Sequence, residues 1–143
     1  MSRLIVVVVA LLALLSGWTL YQLWERSQGP AGLRVQIEDL RKGDGPEIEP
    51  GQTVTVHYAA KVQGGSYYSE TRRTGQPFTF IVGAGHVLPG WEQGLKRMRQ
   101  GGLRRITIPP DLAYGERGSG AEIPPGSTLE VEIELLRVVA KPD

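Results

Sequence analysis

The chain has 143 residues, a formal net charge of +1 and no cysteine. The absence of cysteine excludes disulfides, thiolate metal sites and cysteine nucleophiles. A nearly neutral chain also argues against nucleic acid as the main partner, because binding to its phosphates requires a basic face. Without the hydrophobic N-terminus about 110 residues remain, the size of one ordinary domain. We therefore expect one folded domain whose function depends neither on thiol chemistry nor on nucleic acid as the main partner.

Residues 4–24 form a stretch of 21 residues without charge. A helix rises about 1.5 Å per residue, so this stretch is long enough to cross the roughly 30 Å hydrocarbon core of a bilayer. Aromatic residues of the kind that form belts at membrane interfaces cluster at its C-terminal end: Trp18, Tyr21 and Trp24. The sequence predicts a transmembrane signal-anchor over residues 1–26 and a linker over residues 27–32.

A cleaved signal peptide is the alternative for this segment. The apolar run is longer than a usual signal-peptide core, and no Ala-x-Ala-like cleavage site follows it. Arg3 precedes the run, while Glu25 and Arg26 cancel after it, so the positive-inside rule favours an inward N-terminus. We expect a single-pass inner-membrane protein whose domain faces the periplasm or an equivalent lumen, or a secreted domain if the segment is cleaved.

Alternating apolar and polar residues downstream of the linker predict the strands of an antiparallel sheet. One apolar and one charged face indicate that the sheet is covered on one side only. The last strand alternates most regularly, because Glu130, Glu132 and Glu134 separate its apolar residues. The apolar positions of the predicted strands are Leu33, Val35 and Ile37; Val54, Val56 and Tyr58; Phe78, Phe80 and Val82; Ile106 and Ile108; and Leu129, Val131, Ile133 and Leu135.

A single segment downstream of the linker has helical spacing. Trp91, Leu95 and Met98 stand at i, i+4 and i+7, with Pro89 before them and a glycine pair at 101–102 after them. We expect a helix here that covers the apolar face of the sheet. The predicted fold is therefore α+β, a twisted antiparallel sheet of five to six strands wrapped on one short helix and preceded by one transmembrane helix.

The densest run of basic residues follows this predicted helix. Cations are favoured at a helix C-terminus by the helix dipole, and the later residues of the run alternate along a strand. We therefore expect a solvated basic face, with a contact patch for acidic partners or lipid headgroups as the alternative. The run consists of Lys96, Arg97, Arg99, Arg104 and Arg105.

The residues with catalytic potential are aromatic rather than titratable. His57 and His86 have no partner at metal-ligand spacing, and the chain has no Gly-x-Ser-x-Gly elbow. Aromatic residues at strand spacing commonly serve core packing. Trp91, however, begins the covering helix and Tyr114 lies in a Gly-rich loop, which favours a pocket. The aromatic residues concerned are Tyr58, Tyr67, Tyr68, Phe78, Phe80, Trp91 and Tyr114.

Several short strings stand in a distinctive order between residues 33 and 139. They are residues 51–58 (GQTVTVHY), 75–80 (GQPFTF), 87–94 (VLPGWEQG), 106–115 (ITIPPDLAYG), 123–125 (IPP) and 129–136 (LEVEIELL). Together they resemble the FKBP family of peptidyl-prolyl cis/trans isomerases, although no single string is specific alone. The resemblance implies an FKBP-type isomerase domain over residues 33–143.

This resemblance also implies a hydrophobic pocket between the helix and the sheet. Trp91 would form its floor under the substrate proline ring. The Tyr114 hydroxyl and the Ile123 backbone N–H would donate hydrogen bonds to the substrate, and Tyr58 completes the implied catalytic set. The implied substrate-binding residues are Tyr68, Ser69, Phe78, Val87, Leu88 and Val131.

The sequence departs from the family pattern at three positions. Ser69 replaces a usual aspartate, Val131 a usual phenylalanine and Glu122 an apolar residue of the flap. The resemblance implies isomerisation of X–Pro bonds in unfolded or partly folded proteins, with proline-containing peptides and a macrolide as ligands and no cofactor or metal. Ser69 and Glu122 motivate the alternative, a proline-binding, chaperone-like or docking module with little turnover.

Overall fold

A computed structural model describes residues 34–141 as six strands, two short helices and two 3-10 turns. The strands are β1 (Gln36–Arg41), β2 (Thr53–Val62), β3 (Tyr67–Glu70), β4 (Phe78–Ile81), β5 (Leu103–Ile108) and β6 (Leu129–Val139). The helices are α1 (Thr71–Thr74) and α2 (Pro89–Gly94), and the 3-10 turns cover Pro110–Leu112 and Gly115–Arg117.

The predicted membrane segment, the linker and Leu33 lie outside the described residues. Among residues 34–141, no helix is both long enough and apolar enough to span a bilayer.

All six strands pair antiparallel in one sheet of order β1–β5–β6–β2–β3. Strand β2 pairs with β6 along one edge, and its other edge holds β4 over residues 53–56 and β3 over residues 59–61. The ten residues of β2 make room for both short neighbours. This sheet and its short helix confirm the predicted α+β architecture of the domain.

One face of the sheet builds the core. The apolar residues of the last strand, from Leu129 to Leu135, are fully buried, as are Val54, Val56, Ile106 and Ile108. Burying each such side chain contributes about 1.5–3 kcal/mol. The glutamates between the buried residues of β6 lie on the other face, where they form ion pairs with cations of β1, β2, β5 and α1.

Strand β1 does not bury the apolar face that the alternation predicted. Ile37 is 48% exposed, and all six residues of the strand are exposed. The reason is position, because β1 pairs only with β5 at the edge of the sheet and reaches beyond the core. Val35, just before the strand, is partly buried and packs against the core.

Helix α2 packs closely on the sheet through a glycine. A Cβ atom on Gly90 would lie 2.2 Å from the Cγ2 atom of Ile108, so any larger residue here would push the helix away. The helix ends at Gly94, earlier than the spacing through Met98 predicts. Arg97 has a φ angle of 60°, a left-handed conformation that ends the helical path, yet Met98 still turns back into the core.

Arg104 contradicts the solvated face predicted for the basic run. The residue is 6% exposed, and its guanidinium donates to the carbonyl oxygens of Gly94 and Lys96, each at 2.9 Å. Its Nε atom lies 2.6 Å from a carboxylate oxygen of Asp39. The last carbonyls of a helix lack partners within the helix, and a buried cation requires an anion. Arg104 therefore ties the end of α2 to β5 and β1.

Candidate active site

A cleft of about 670 Å³ opens between helix α2, strands β2 and β3, and the loops that precede α2 and follow β5. Its wall is mainly aromatic and aliphatic near α2 and polar near the loop that follows Tyr114. The lining residues are Tyr58, Ala60, Tyr68, Ser69, Phe78, Gly85, His86, Val87, Leu88, Pro89, Trp91, Tyr114, Ser119, Glu122 and Ile123.

The floor of the cleft is the indole of Trp91, which is 7% exposed. Three rings meet it at steep angles: Tyr58 at a centroid distance of 5.0 Å and 82°, Phe80 at 6.1 Å and 74°, and Phe78 at 6.3 Å and 89°. Edge-to-face contacts of this kind add to the burial of the rings. The indole is therefore held in place before any ligand binds.

Tyr58 is positioned by Thr71, the first residue of α1. The Tyr58 backbone N–H donates to the Thr71 hydroxyl at 2.9 Å, and that hydroxyl donates back to the Tyr58 carbonyl at 3.3 Å. The Nδ1 atom of His57 lies 2.9 Å from the same hydroxyl. The imidazole of His57 therefore braces Thr71 and, through it, the wall of the cleft that Tyr58 forms.

Three tyrosines bring their hydroxyls to the polar side of the cleft. Tyr58 forms a hydrogen bond of 2.9 Å with the Ser69 hydroxyl. Burial, together with the neighbouring Tyr114 and Tyr58, raises the pKa of Tyr68 to about 12, so that its hydroxyl keeps its proton at neutral pH. Within residues 34–141 the hydroxyls of Tyr68 and Tyr114 have no hydrogen-bond partner, which leaves both free to donate to a ligand.

Ile123 lines the cleft, and the backbone N–H that the resemblance assigns to a substrate carbonyl is bonded within the loop. Its N–H donates to the Ser119 carbonyl at 3.2 Å, and the Ser119 N–H donates to the Ile123 carbonyl at 2.8 Å. The loop closes on itself because backbone groups of a partly buried turn need partners. A substrate carbonyl must therefore compete with Ser119 for this N–H.

Val131 does not lie at the cleft, although the resemblance implied a wall residue. It is fully buried in the core, where it pairs across the sheet with Ala60 and Ile106. Its side chain is short and stays below the surface, which Ala60 lines instead. The other nine predicted site residues line the cleft together.

Five lining residues were not predicted as site residues, and Glu122 was predicted only as a departure in the flap. His86, Pro89 and Glu122 stand next to predicted residues along the chain, so adjacency was the available signal for these three. The imidazole of His86 accepts a hydrogen bond from the Ile81 N–H through Nδ1 at 3.3 Å. The five residues are Ala60, Gly85, His86, Pro89 and Ser119.

Comparison with known proteins agrees with this geometry. Residues 45–136 match the model of the FKBP-type peptidyl-prolyl cis-trans isomerases. An FK506-binding protein of Neisseria meningitidis serogroup A is 43% identical over 102 residues, which cover 71% of this chain and 94% of that protein. The peptidyl-prolyl cis-trans isomerase FKBP1A of Xenopus laevis is 42% identical over 105 residues, 73% of this chain and 97% of the relative.

A solved structure extends the similarity to three dimensions. The crystal structure of AtFKBP13 aligns with a TM-score of 0.70 at 36% sequence identity, over 77% of this chain and 95% of that one. Sequence, fold and cleft therefore agree, and the predicted isomerase activity is confirmed at the level of the family. The chain belongs to the FKBP-type peptidyl-prolyl cis-trans isomerases, enzymes that isomerise X–Pro bonds in protein folding.

Proposed function

We propose that the cleft above Trp91 binds the proline ring of the substrate and is where the X–Pro bond rotates. The rigid aromatic floor carries this proposal, since the ring of Trp91 is braced by three others before binding. A preformed apolar surface binds an apolar ring without the cost of ordering side chains.

The chemistry of the amide explains why such a cleft accelerates rotation. The barrier of about 18–20 kcal/mol comes from resonance, which gives the planar amide a charge-separated character. Twisting removes that character, so the transition state is less polar than the ground state. A dry aromatic cleft therefore favours the twisted amide over the planar one. An acceleration of several hundredfold requires a differential stabilisation of only about 3–4 kcal/mol.

The free hydroxyls would hold the substrate while the bond turns. Tyr68 and Tyr114 both keep a donor available, and each can bind a carbonyl oxygen of the peptide. Tyr58 and Ser69 bind each other instead, so their role is to shape the wall. We expect the first pair to affect turnover more directly than the second.

The test is cis/trans exchange of an apolar-X–Pro peptide, measured by NMR with the full chain. Tyr114→Phe removes one hydrogen bond to the substrate and should lower kcat/KM by about two- to tenfold. Tyr67→Phe is the matched control, because Tyr67 is 48% exposed and does not line this cleft. Equal kcat/KM values for the two variants would exclude Tyr114 from the site. A wild-type chain that binds the peptide without acceleration would support the alternative of a binding module.

We also propose that the same cleft binds a macrolide. Relatives from Neisseria meningitidis and Dictyostelium discoideum are named FK506-binding proteins, and the cleft of this chain offers an aromatic floor to an apolar ligand. FK506 should then inhibit the exchange of the peptide competitively. Because Glu122 brings a charge to the rim, Glu122→Ile should bind FK506 more tightly than the wild-type chain, as calorimetry would measure. Inhibition without competition would place the macrolide elsewhere.

We further propose that residues 1–26 anchor the domain in the inner membrane with the isomerase facing the periplasm. The support is the uncharged stretch of 21 residues with aromatic residues at its end. The chain should remain in membranes after carbonate extraction, with an intact mass that includes residue 1. Protease added to spheroplasts should digest the domain. A shortened mass would indicate a cleaved signal peptide. Protection of the domain from protease would indicate that it faces the cytoplasm.

A further inference from the structure

Glu122 carries the only formal charge among the described residues that line the isomerase cleft. The remaining lining residues are apolar, hydroxyl-bearing or glycine, apart from His86. The ring of His86 accepts a hydrogen bond at Nδ1 from the Ile81 N–H. The cleft therefore has one carboxylate that no lining lysine or arginine balances.

The Glu122 carboxylate is also unpaired within the described chain. Between residues 34 and 141 it makes neither a hydrogen bond nor an ion pair. The backbone beside it is fixed, because Ile123 is buried and bonded to Ser119 in both directions. The backbone of the loop thus places Glu122 beside the cleft, and its exposed carboxylate is available to a charge on the substrate.

The surroundings of Glu122 also favour a cation. Tyr58, Tyr68 and Tyr114 line the same cleft, and the faces of aromatic rings attract ammonium and guanidinium groups. Glu122 is itself exposed, so its attraction for a cation is that of a partly solvated charge pair. An anionic side chain of a substrate would meet repulsion from Glu122 in the same place.

We propose that Glu122 is a specificity-determining residue that makes this isomerase prefer X–Pro sites with lysine or arginine next to the proline. The inference rests on the proposed function of the cleft, because a substrate bound elsewhere would not meet Glu122. It names a substrate class that the isomerase activity alone does not define.

The test compares kcat/KM for peptides that differ only beside the proline. One series carries Lys, Gln or Glu before the proline, and a second series carries the same residues after it. In one of the series we expect Lys to exceed Gln about two- to fivefold at low ionic strength, as for a partly exposed ion pair. The ratio should approach one at high salt, where the Debye length falls to about 3 Å.

Two variants assign the preference to the carboxylate. Glu122→Gln should bring the Lys-to-Gln ratio of kcat/KM to one. Glu122→Lys should make the peptide with Glu a better substrate than the peptide with Lys. Glu116→Gln is the matched control, because Glu116 is exposed in the same loop and does not line the cleft; its ratio should equal that of the wild-type chain. The readout is the ratio of kcat/KM for the Lys and Gln peptides, because a general loss of activity in a variant affects both values equally.

The outcomes separate the two proposals. Catalysis of all peptides with equal kcat/KM for Lys and Gln in both series would overturn the inference and leave the proposed function intact. A preference that persists in Glu122→Gln would also overturn it. If Trp91→Ala, which removes the floor of the cleft, left every rate unchanged while the chain stayed folded, the proposed site would fail and the inference with it.

Discussion

The bond between the hydroxyls of Tyr58 and Ser69 shows how one small residue shapes this cleft. Ser69 stands where the resemblance leads one to expect an aspartate, and it still binds Tyr58 at 2.9 Å. A serine supplies this bond without bringing a charge among aromatic rings, where a buried charge is costly. The polar side of the cleft is therefore neutral apart from Glu122.

We predict that Ser69→Ala lowers the free energy of unfolding by about 1 kcal/mol, because Tyr58 loses its partner. Tyr58→Phe should have a similar effect. The double variant should lose less than the sum of the two, since the second substitution has no bond left to remove. Urea denaturation of the four proteins measures this coupling, and strictly additive losses would show that the bond does not form in solution.

Tyr68 gives a pH dependence whose sign follows from its pKa. The folded chain holds this pKa at about 12, above the ordinary value of 10.0. Folding therefore favours the protonated hydroxyl. The resulting stability is complete below pH 10 and is lost as the pH rises towards 12, because the unfolded chain releases the proton first. Absorbance titration at alkaline pH should show one late-ionising tyrosine that is absent from Tyr68→Phe, whereas an unchanged titration would assign that ionisation to another residue.

At the site, the face that each side chain occupies was easier to predict from the sequence than the hydrogen bonding of the backbone. Tyr58 and Phe78 lie on strands, where alternation decides which face a residue occupies. Ile123 shows the limit, because whether its N–H is free depends on how the loop closes on Ser119. Val131 lies on the predicted apolar face, but packing decides which residue of that face reaches the cleft, and Ala60, its neighbour across the sheet, lines it instead.

At the scale of elements, helix α2 depends on its contacts with the sheet. The helix has six residues, and isolated helices of that length are not stable in water. Gly90 allows it to approach Ile108 closely, and Arg104 binds the carbonyl of Gly94 at its end. These contacts fix the element that carries Trp91.

We predict that Arg104→Met lowers the free energy of unfolding by about 3–5 kcal/mol, because it leaves Asp39 and two carbonyls without their partner. Arg99→Met is the matched control, since Arg99 is exposed and exposed ion pairs contribute about 0–1 kcal/mol. Urea denaturation distinguishes the two variants. Similar losses would mean that Arg104 does not support α2.

A strand or helix was predictable where the pattern of apolar residues within its own segment decides its structure. The alternation along β6 predicted its buried face correctly, because every second residue of a strand points the same way. The end of α2 was not predictable from spacing, since Met98 reaches the core by a turn through Arg97 and not by a helix. The exposure of Ile37 in β1 follows from the order of strands, which alternation does not contain.

At the scale of the whole molecule, residues 32–143 form a unit of their own. The described part of this unit has a continuous core that includes β2, β5, β6 and α2. Strand β2 pairs with β6 from Thr53 opposite Val139 to Val62 opposite Leu129, so that distant parts of the chain close the sheet.

We predict that a chain lacking residues 1–31 folds and retains its kcat/KM, because the core and the cleft are built from later residues. Its Tm should differ from that of the full chain by less than about 4 °C, which corresponds to less than about 1 kcal/mol for a domain of this size. Both proteins are measured in the same detergent. A larger decrease in Tm would show that the N-terminal segment contributes to the folded state.

The two backbone hydrogen bonds between Ile123 and Ser119 affect the rate of product release. A substrate carbonyl that takes the Ile123 N–H replaces the Ser119 carbonyl, so one hydrogen bond is exchanged for another and the net gain is small. When the chain leaves, the loop recovers its own bond at once. We therefore expect short residence times, which let one enzyme molecule visit many prolines in succession instead of holding a single client.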